Sequence, residues 1–431
     1  MVGILKNKFH QIVEDTFWKN VATLFSGSAI AQALPILIFP ILTRIYSKEA
    51  LGFYFVFVGI GMISQIIVSL QYELAILLPK NNKDSNAMVE LSLLLVFANS
   101  LILLFLIMLL SPLITPFIKQ KEFISFIYWI PLSTFLLGVF NVISHYLNRE
   151  TLYKSIAIGK ISKSIMFSIV QLTLGFLGYL KAGLIAGLLA GQALSALYLL
   201  YCLFKKTTFR FQWNWNLMRH LAKVYKDMPL FNTTISFLSA LSNQLPVFFL
   251  SRYYGASASG DYGLANRVVL TPMELVGSSV GQVFFQEAAH LVNTKGNLHQ
   301  LVKVTYLRLF KIAVIPFLLL LLFAPWLFSL FFSAEYISSG QITQLLIPWL
   351  FLNFLNSPVS YLFDVLNKQR FMTILFTVYL MVRIAGLLIG YFVFQNIFIT
   401  IAIYSAIGVV FNSYIIYYYL KISKAPLESI Y

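Results

Sequence analysis

The feature that most constrains this chain is a near-continuous succession of apolar runs, each long enough to cross about 30 Å of hydrocarbon as a helix of roughly 20 residues. Read against the charges that separate them, the runs give twelve spans, at about 20–45, 51–78, 87–111, 123–146, 155–178, 182–204, 229–252, 260–286, 305–331, 341–363, 371–393 and 397–420. Little of the 431 residues is left for a soluble domain. Composition agrees: 59% of residues are hydrophobic and 11% charged, with a mean hydropathy of +0.82, where soluble proteins carry about 25% charged residues. The fold class expected is an all-α polytopic membrane protein of about twelve helices, arranged as two parallel six-helix repeats around a central cavity.

Charge supplies the orientation. Of the 31 Lys and Arg residues, 23 fall in loops and span ends on the side of the N-terminus, six fall on the opposite side, and Arg267 and Arg383 lie deep inside spans. The positive-inside rule then places both termini in the cytoplasm. The net charge of +16 is therefore topological, because a nucleic-acid reading would need a basic face on a soluble domain; no nucleic acid is expected as a partner. The single cysteine, Cys202, and five scattered histidines offer neither an intrachain disulfide nor a metal-ligand spacing. No cofactor or metal is expected.

No cleavable signal peptide is apparent, since the first apolar run greatly exceeds an h-region of about 7 to 15 residues. Ahead of it, Leu5, Phe9, Ile12 and Phe17 recur at helical spacing among Lys6, Lys8, Glu14 and Lys19. Residues 1–19 read either as an amphipathic segment on the membrane surface or as an ordinary polar tail. The chain also repeats internally. ILTRIYSKEALGFY (Ile41 to Tyr54) and FLSRYYGASASGDY (Phe249 to Tyr262) match at Leu42/Leu250, Arg44/Arg252, Tyr46/Tyr254, Ala50/Ala258, Gly52/Gly260 and Tyr54/Tyr262, with Arg252 standing 208 residues after Arg44. A weaker echo pairs the run from His145 to Arg149 with that from Asp364 to Lys368. Six spans per half is an even number, so the halves are parallel about an axis along the membrane normal. The expected organisation is an N-terminal lobe at 20–204, a basic cytoplasmic linker at 205–228, a C-terminal lobe at 229–420 and a tail at 421–431.

At this point three segments carry a resemblance: GSAIAQALPILIFPILTRIYSKEALGFY (Gly27 to Tyr54), QYELAILLPK (Gln71 to Lys80) and GDYGLANRVVLTPMELVGSSVGQVFFQEA (Gly260 to Ala288). They resemble the polysaccharide transporter branch of the multidrug/oligosaccharidyl-lipid/polysaccharide flippase superfamily, which includes O-antigen and capsule-unit flippases. The resemblance implies two six-helix lobes facing a cavity and moving an oligosaccharide on undecaprenyl pyrophosphate from the cytoplasmic to the periplasmic leaflet of the bacterial inner membrane. Its partners would be that lipid-linked oligosaccharide, membrane lipids, a coupling ion (proton or sodium) and other polysaccharide-assembly membrane proteins. The chain departs from the fourteen-span lipid II flippases by lacking an extra helix pair.

Ionisable residues inside a span cost at least about 2.5 to 3.5 kcal/mol on the insertion scale and so face protein or a wet cavity. Arg267 and Glu274, seven residues apart, share one face of span eight with Pro272 between them. They read either as a cation for the pyrophosphate with an acid that tunes or resets it, or as a buried pair pinning the lobe. Arg383, deep in span eleven, takes either a cavity or a structural role. Among uncharged residues, Gln32, Asn243 and Gln244 are the candidates for sugar hydroxyls, the surrounding Ser and Thr residues serving equally as helix-packing glue. Lys163 near the end of span five either snorkels or forms a vestibule, and Glu73 either caps span two at the interface or couples an ion. The function expected is a non-enzymatic flippase. The alternatives are a drug or cation antiporter, which wants carboxylates in the cavity, and a membrane glycosyltransferase or polymerase, which wants a poised acid or base and a sizeable external loop.

Overall fold

A computed structural model describes residues 29–114, 125–180, 182–294, 296–366 and 369–424. The amphipathic reading of 1–19 and most of the tail lie outside these residues. Everything regular in the described part is helical, as it must be where lipid offers no partner for a backbone amide or carbonyl. Eleven of its helices are long and apolar enough to cross a membrane, and the shorter apolar helix Ala29–Ile45 represents the described end of the first expected span. The protein is an all-α, multi-pass membrane protein.

The helices are α1 (Ala29–Ile45), α2 (Lys48–Val68), α3 (Asn82–Ile114), α4 (Ile130–Arg149), α5 (Tyr153–Phe176), α6 (Ala182–Lys206), the short α7 (Trp215–Val224), α8 (Thr233–Tyr253), α9 (Ala256–Asn293), α10 (Leu298–Phe332), α11 (Ile337–Val359), α12 (Gln369–Ile389) and α13 (Ile397–Ile422). They gather into two compact units. The first comprises the chain up to Phe39 and Gly61–Thr233, and the second comprises Pro40–Ile60 and Thr234–Tyr431. Both α1 and α2 are thus shared, with 40–60 packed among the helices of the second unit.

In the first unit, Val68, Tyr72, Ile76, Met88, Val142, Ile143, Tyr146, Leu199 and Leu203 form one buried cluster that also takes in Met218 and Leu221 of α7. The outer faces are apolar too. On α3, Phe97, Leu101, Phe105 and Leu109 recur every four residues and are exposed, which is the stripe a helix presents to lipid. Span two ends at Val68, ten residues short of 78, because Leu70 and Gln71 both take left-handed backbone angles, with φ of 52° and 57°. The chain then continues as a separate 3₁₀ helix, Tyr72–Leu77, held by a bond from Tyr72 Oη to the Ala222 carbonyl (2.9 Å). Arg149 at the end of α4 donates to the Pro79 carbonyl (2.6 Å) and secures the turn that follows.

In the second unit, α11 packs against α9, α10 and α13. Prolines 246, 272, 316, 325, 348 and 358 all sit inside its helices, a usage that neighbouring helices make tolerable in a membrane. The internal repeat is expressed here as a direct contact. A Cβ added at Gly52 would collide with the Ala256 carbonyl, and one at Gly260 would collide with the Lys48 carbonyl. Lys48 and Ala256 stand at the same 208-residue offset as the two glycines, so the crossing of α2 and α9 is reciprocal, each repeat copy accepting the other's backbone. Only a residue without a side chain permits that approach.

Candidate functional site

The second unit holds a partly open cavity of about 190 Å³. Asn266, Leu270, Met273 and Glu274 of α9 line it, as do Trp349, Asn353, Phe354 and Ser357 of α11, with Asn243 contributed by α8. The spacings of 4, 7 and 8 on α9 and of 4, 5 and 8 on α11 are those of one helix face. Helical periodicity has therefore set three amides, a hydroxyl and a carboxylate against an apolar and aromatic wall. Asn266 Oδ1 is buried without a hydrogen-bond partner among the described residues.

Arg383 stands behind this wall. Its side chain is fully buried, and its guanidinium carbon lies 4.2 Å from the ring centre of Trp349, 4.2 Å from that of Tyr379 and 4.0 Å from that of Tyr404. Tyr379 precedes it by one helical turn, whereas Trp349 and Tyr404 come from α11 and α13. Nη1 donates to Ser242 Oγ at 3.2 Å, while Nε and Nη2 have no partner among the described residues. Arginine stays charged in proteins. Here its charge is held by three aromatic faces rather than by a carboxylate, one residue layer from the cavity: Trp349 belongs to both, and Ser242 adjoins Asn243.

Of the residues singled out from the sequence, Glu274 and Asn243 line the cavity and are exposed within it. Arg267 is half-buried on α9 beside the lining face, and the Arg267 and Glu274 side chains form no ion pair within 4 Å. Gln244 faces Gly59 of α2, and Arg383 is caged as described. Gln32 and Lys163 belong to the first unit, where Gln32 is half-buried on α1 and Lys163 Nζ lies 5.8 Å from the Phe140 ring centre. Glu73 is also in that unit, buried in the 3₁₀ helix and bonded to the Ser69 hydroxyl. Burial pushes its carboxyl above the usual carboxylate range, and the Ser69 bond draws it part of the way back.

Sequence reasoning missed Asn266, Asn353, Ser357 and the aromatic cage. The amides carried a signal in their four-residue spacing from Leu270 and Trp349; the cage carried none beyond Tyr379. It also missed a second charged cluster. Lys48 pairs with Asp261 Oδ1 at 2.9 Å and donates to Ser338 Oγ at 2.9 Å, and Asp261 accepts further bonds from Ser338 (2.8 Å) and Ser339 (2.6 Å).

Residues 41–341 match a family described as polysaccharide biosynthesis protein. The chain belongs to that family. No protein of curated function matches the sequence. Among solved structures, the fold is similar to the lipid II flippase MurJ in an inward closed conformation, at 14% identity and a TM-score of 0.71, covering 95% of this chain and 88% of that one. It is also similar to a Vibrio cholerae MATE transporter, at 13% identity and a TM-score of 0.66, covering 94% and 95%. A third relative in fold is a MOP-superfamily transporter from Pyrococcus furiosus, with 14% identity, a TM-score of 0.61 and 96% of both chains covered. The fold is that of the MOP-superfamily transporters.

Proposed function

We propose that the chain is a non-enzymatic flippase that carries undecaprenyl-pyrophosphate-linked oligosaccharide units, for O-antigen, capsule or a related polysaccharide, from the cytoplasmic to the periplasmic leaflet of a bacterial inner membrane by alternating access. Both termini are then cytoplasmic. The observation that carries the reading is Arg383, a permanent positive charge with no carboxylate partner, set behind a cavity rich in amide groups. Water-excluded surroundings extend the reach of such a charge, and a cationic wall favours anionic cargo. The amides of Asn243, Asn266 and Asn353 and the Ser357 hydroxyl suit phosphate oxygens and sugar hydroxyls alike. The polar lining suits the junction of the cargo, where diphosphate meets the first sugar. Family membership supports the same substrate class.

A second reading, a cation or drug antiporter, draws support from Glu274, a carboxylate exposed in the cavity. It is weakened by the uncompensated arginine behind it. In the preferred reading Arg267, at the edge of the lining face, reaches the pyrophosphate, and Glu274 is where a coupling proton or sodium ion acts. The test uses a strain lacking its native transporter and matched protein levels. Arg267→Ala should abolish polysaccharide display at normal membrane abundance, with Arg267→Lys retaining part of it, because a lysine still binds phosphate as a point charge. Full display by Arg267→Ala would remove Arg267 from the site.

A further inference from the structure

The segment between α6 and α8 is basic, aromatic and fixed in place. It carries Lys205, Lys206, Arg210, Arg219, Lys223 and Lys226 against the single acid Asp227. Its position is set from below. Gln212 N donates to buried Glu90 Oε1 at 2.5 Å, Tyr72 bonds the Ala222 carbonyl, and Met218 and Leu221 are sunk in the core of the first unit. Asn214 caps α7 by accepting from Leu217 N. With that face anchored, Trp215, Arg219 and Lys223, four residues apart, fall together on another face of α7 and are exposed. Beside them Trp213, 56% exposed, stacks on Phe211 with ring planes 9° apart.

We infer that this face is a docking surface for the anionic phospholipid headgroups of the bilayer that the protein occupies. Geometry and chemistry both select that occupant. The preceding span ends at Lys206 and the following one begins at Met228, so the segment is tethered to one membrane face at both ends, and α7 at ten residues spans only about 15 Å. Tryptophan beside lysine and arginine is the side-chain set that settles at the headgroup level, and clustered basic residues next to a span attract anionic lipid until salt screens them. The surface belongs to the first unit and the cargo cavity to the second, and the surface would bind lipid whether or not the proposed transport activity is correct.

The test places the full-length chain in nanodiscs of phosphatidylcholine with a minority of phosphatidylglycerol, bromine quenchers being carried by one lipid at a time at equal mole fraction. The emission read is the part that disappears in the W213F/W215F variant. Brominated phosphatidylglycerol should quench it several-fold more than brominated phosphatidylcholine, and the preference should vanish at high salt and in R219Q/K223Q. If that pair fails to fold, R210Q/K226Q serves as a second charge-removal variant and should reduce the preference. Equal quenching by the two lipids, or a preference that survives charge removal, would overturn the inference and leave the basic face to a soluble acidic partner.

Discussion

Two cations packed into the second unit, one half-buried and one fully buried, are treated in opposite ways. Lys48 has a carboxylate at 2.9 Å, a serine hydroxyl at 2.9 Å and the Tyr336 ring centre at 5.1 Å, and its partner Asp261 is itself bonded by two serines. Every charge there is answered within the protein. Arg383 is buried more completely, yet it has three ring faces, one hydroxyl and two nitrogens left without partners. A closed ion-pair network fastens three helix segments, α2, α9 and the start of α11. Arg383 does not line the cavity, so in the proposed function its charge acts on the cargo through the Trp349 wall rather than by contact.

The contrast makes the two sites respond differently to substitution. Asp261→Ala leaves the half-buried Lys48 without its counter-ion, which should cost about 3 kcal/mol, the low end for breaking a buried pair. Thermal unfolding in detergent and membrane abundance should both register the loss. Arg383→Met removes a charge that has no counter-ion, so stability should be unchanged or higher, by up to about 1 to 4 kcal/mol, while polysaccharide display is lost. If Arg383→Met unfolds the protein as Asp261→Ala does, the caged arginine is a structural pin and the contrast fails.

A smaller effect is expected where the repeat copies cross. Gly260→Val forces a branched side chain onto the Lys48 carbonyl and should cost about 1 to 3 kcal/mol of strain, read as a lowered Tm. Gly52→Val should behave alike, because the contact is reciprocal; a large difference between them would show that the two copies no longer share one packing role.

Glu274→Gln separates the two functional readings. A flippase of anionic cargo should keep leaflet exchange and lose part of its pH dependence, whereas a cation antiporter should lose transport altogether. The smallest effect concerns Glu73. Its folded-state pKa is raised, so stability is highest while it is protonated in both states and falls as pH rises from its unfolded pKa through its folded one. Glu73→Gln should flatten that slope in unfolding measured across the carboxylate range.

Much of this architecture was legible in the sequence because membrane helices must be long, apolar and internally bonded. The repeat at Gly52 and Gly260 could be read as identity, although identity alone did not reveal that the two copies touch. The end of span two was not legible, since Leu70 and Gln71 enter left-handed conformations without the glycine or asparagine that usually marks them. The seven-residue spacing of Arg267 and Glu274 suggests one shared inward face, but the lining face is centred near Leu270, which puts Glu274 inside it and Arg267 at its edge. The aromatic cage was invisible for a different reason. Two of its three rings, Trp349 and Tyr404, come from helices other than that of Arg383, and nothing in a local window specifies which helices will meet. The same holds for Asp261, which meets a lysine 213 residues away.

The central claim is that an uncompensated arginine beside an amide-rich cavity serves an anionic lipid-linked sugar. Its most direct test is leaflet exchange in reconstituted vesicles, comparing a glycan on undecaprenyl pyrophosphate with the same glycan on an uncharged lipid of equal length, for the wild-type chain and Arg383→Met. The account predicts rapid exchange of the pyrophosphate-linked glycan by the wild type, little exchange of the uncharged analogue, and loss of the difference in Arg383→Met. Equal exchange of the two lipids by the wild type, or an undiminished preference in Arg383→Met, would contradict it.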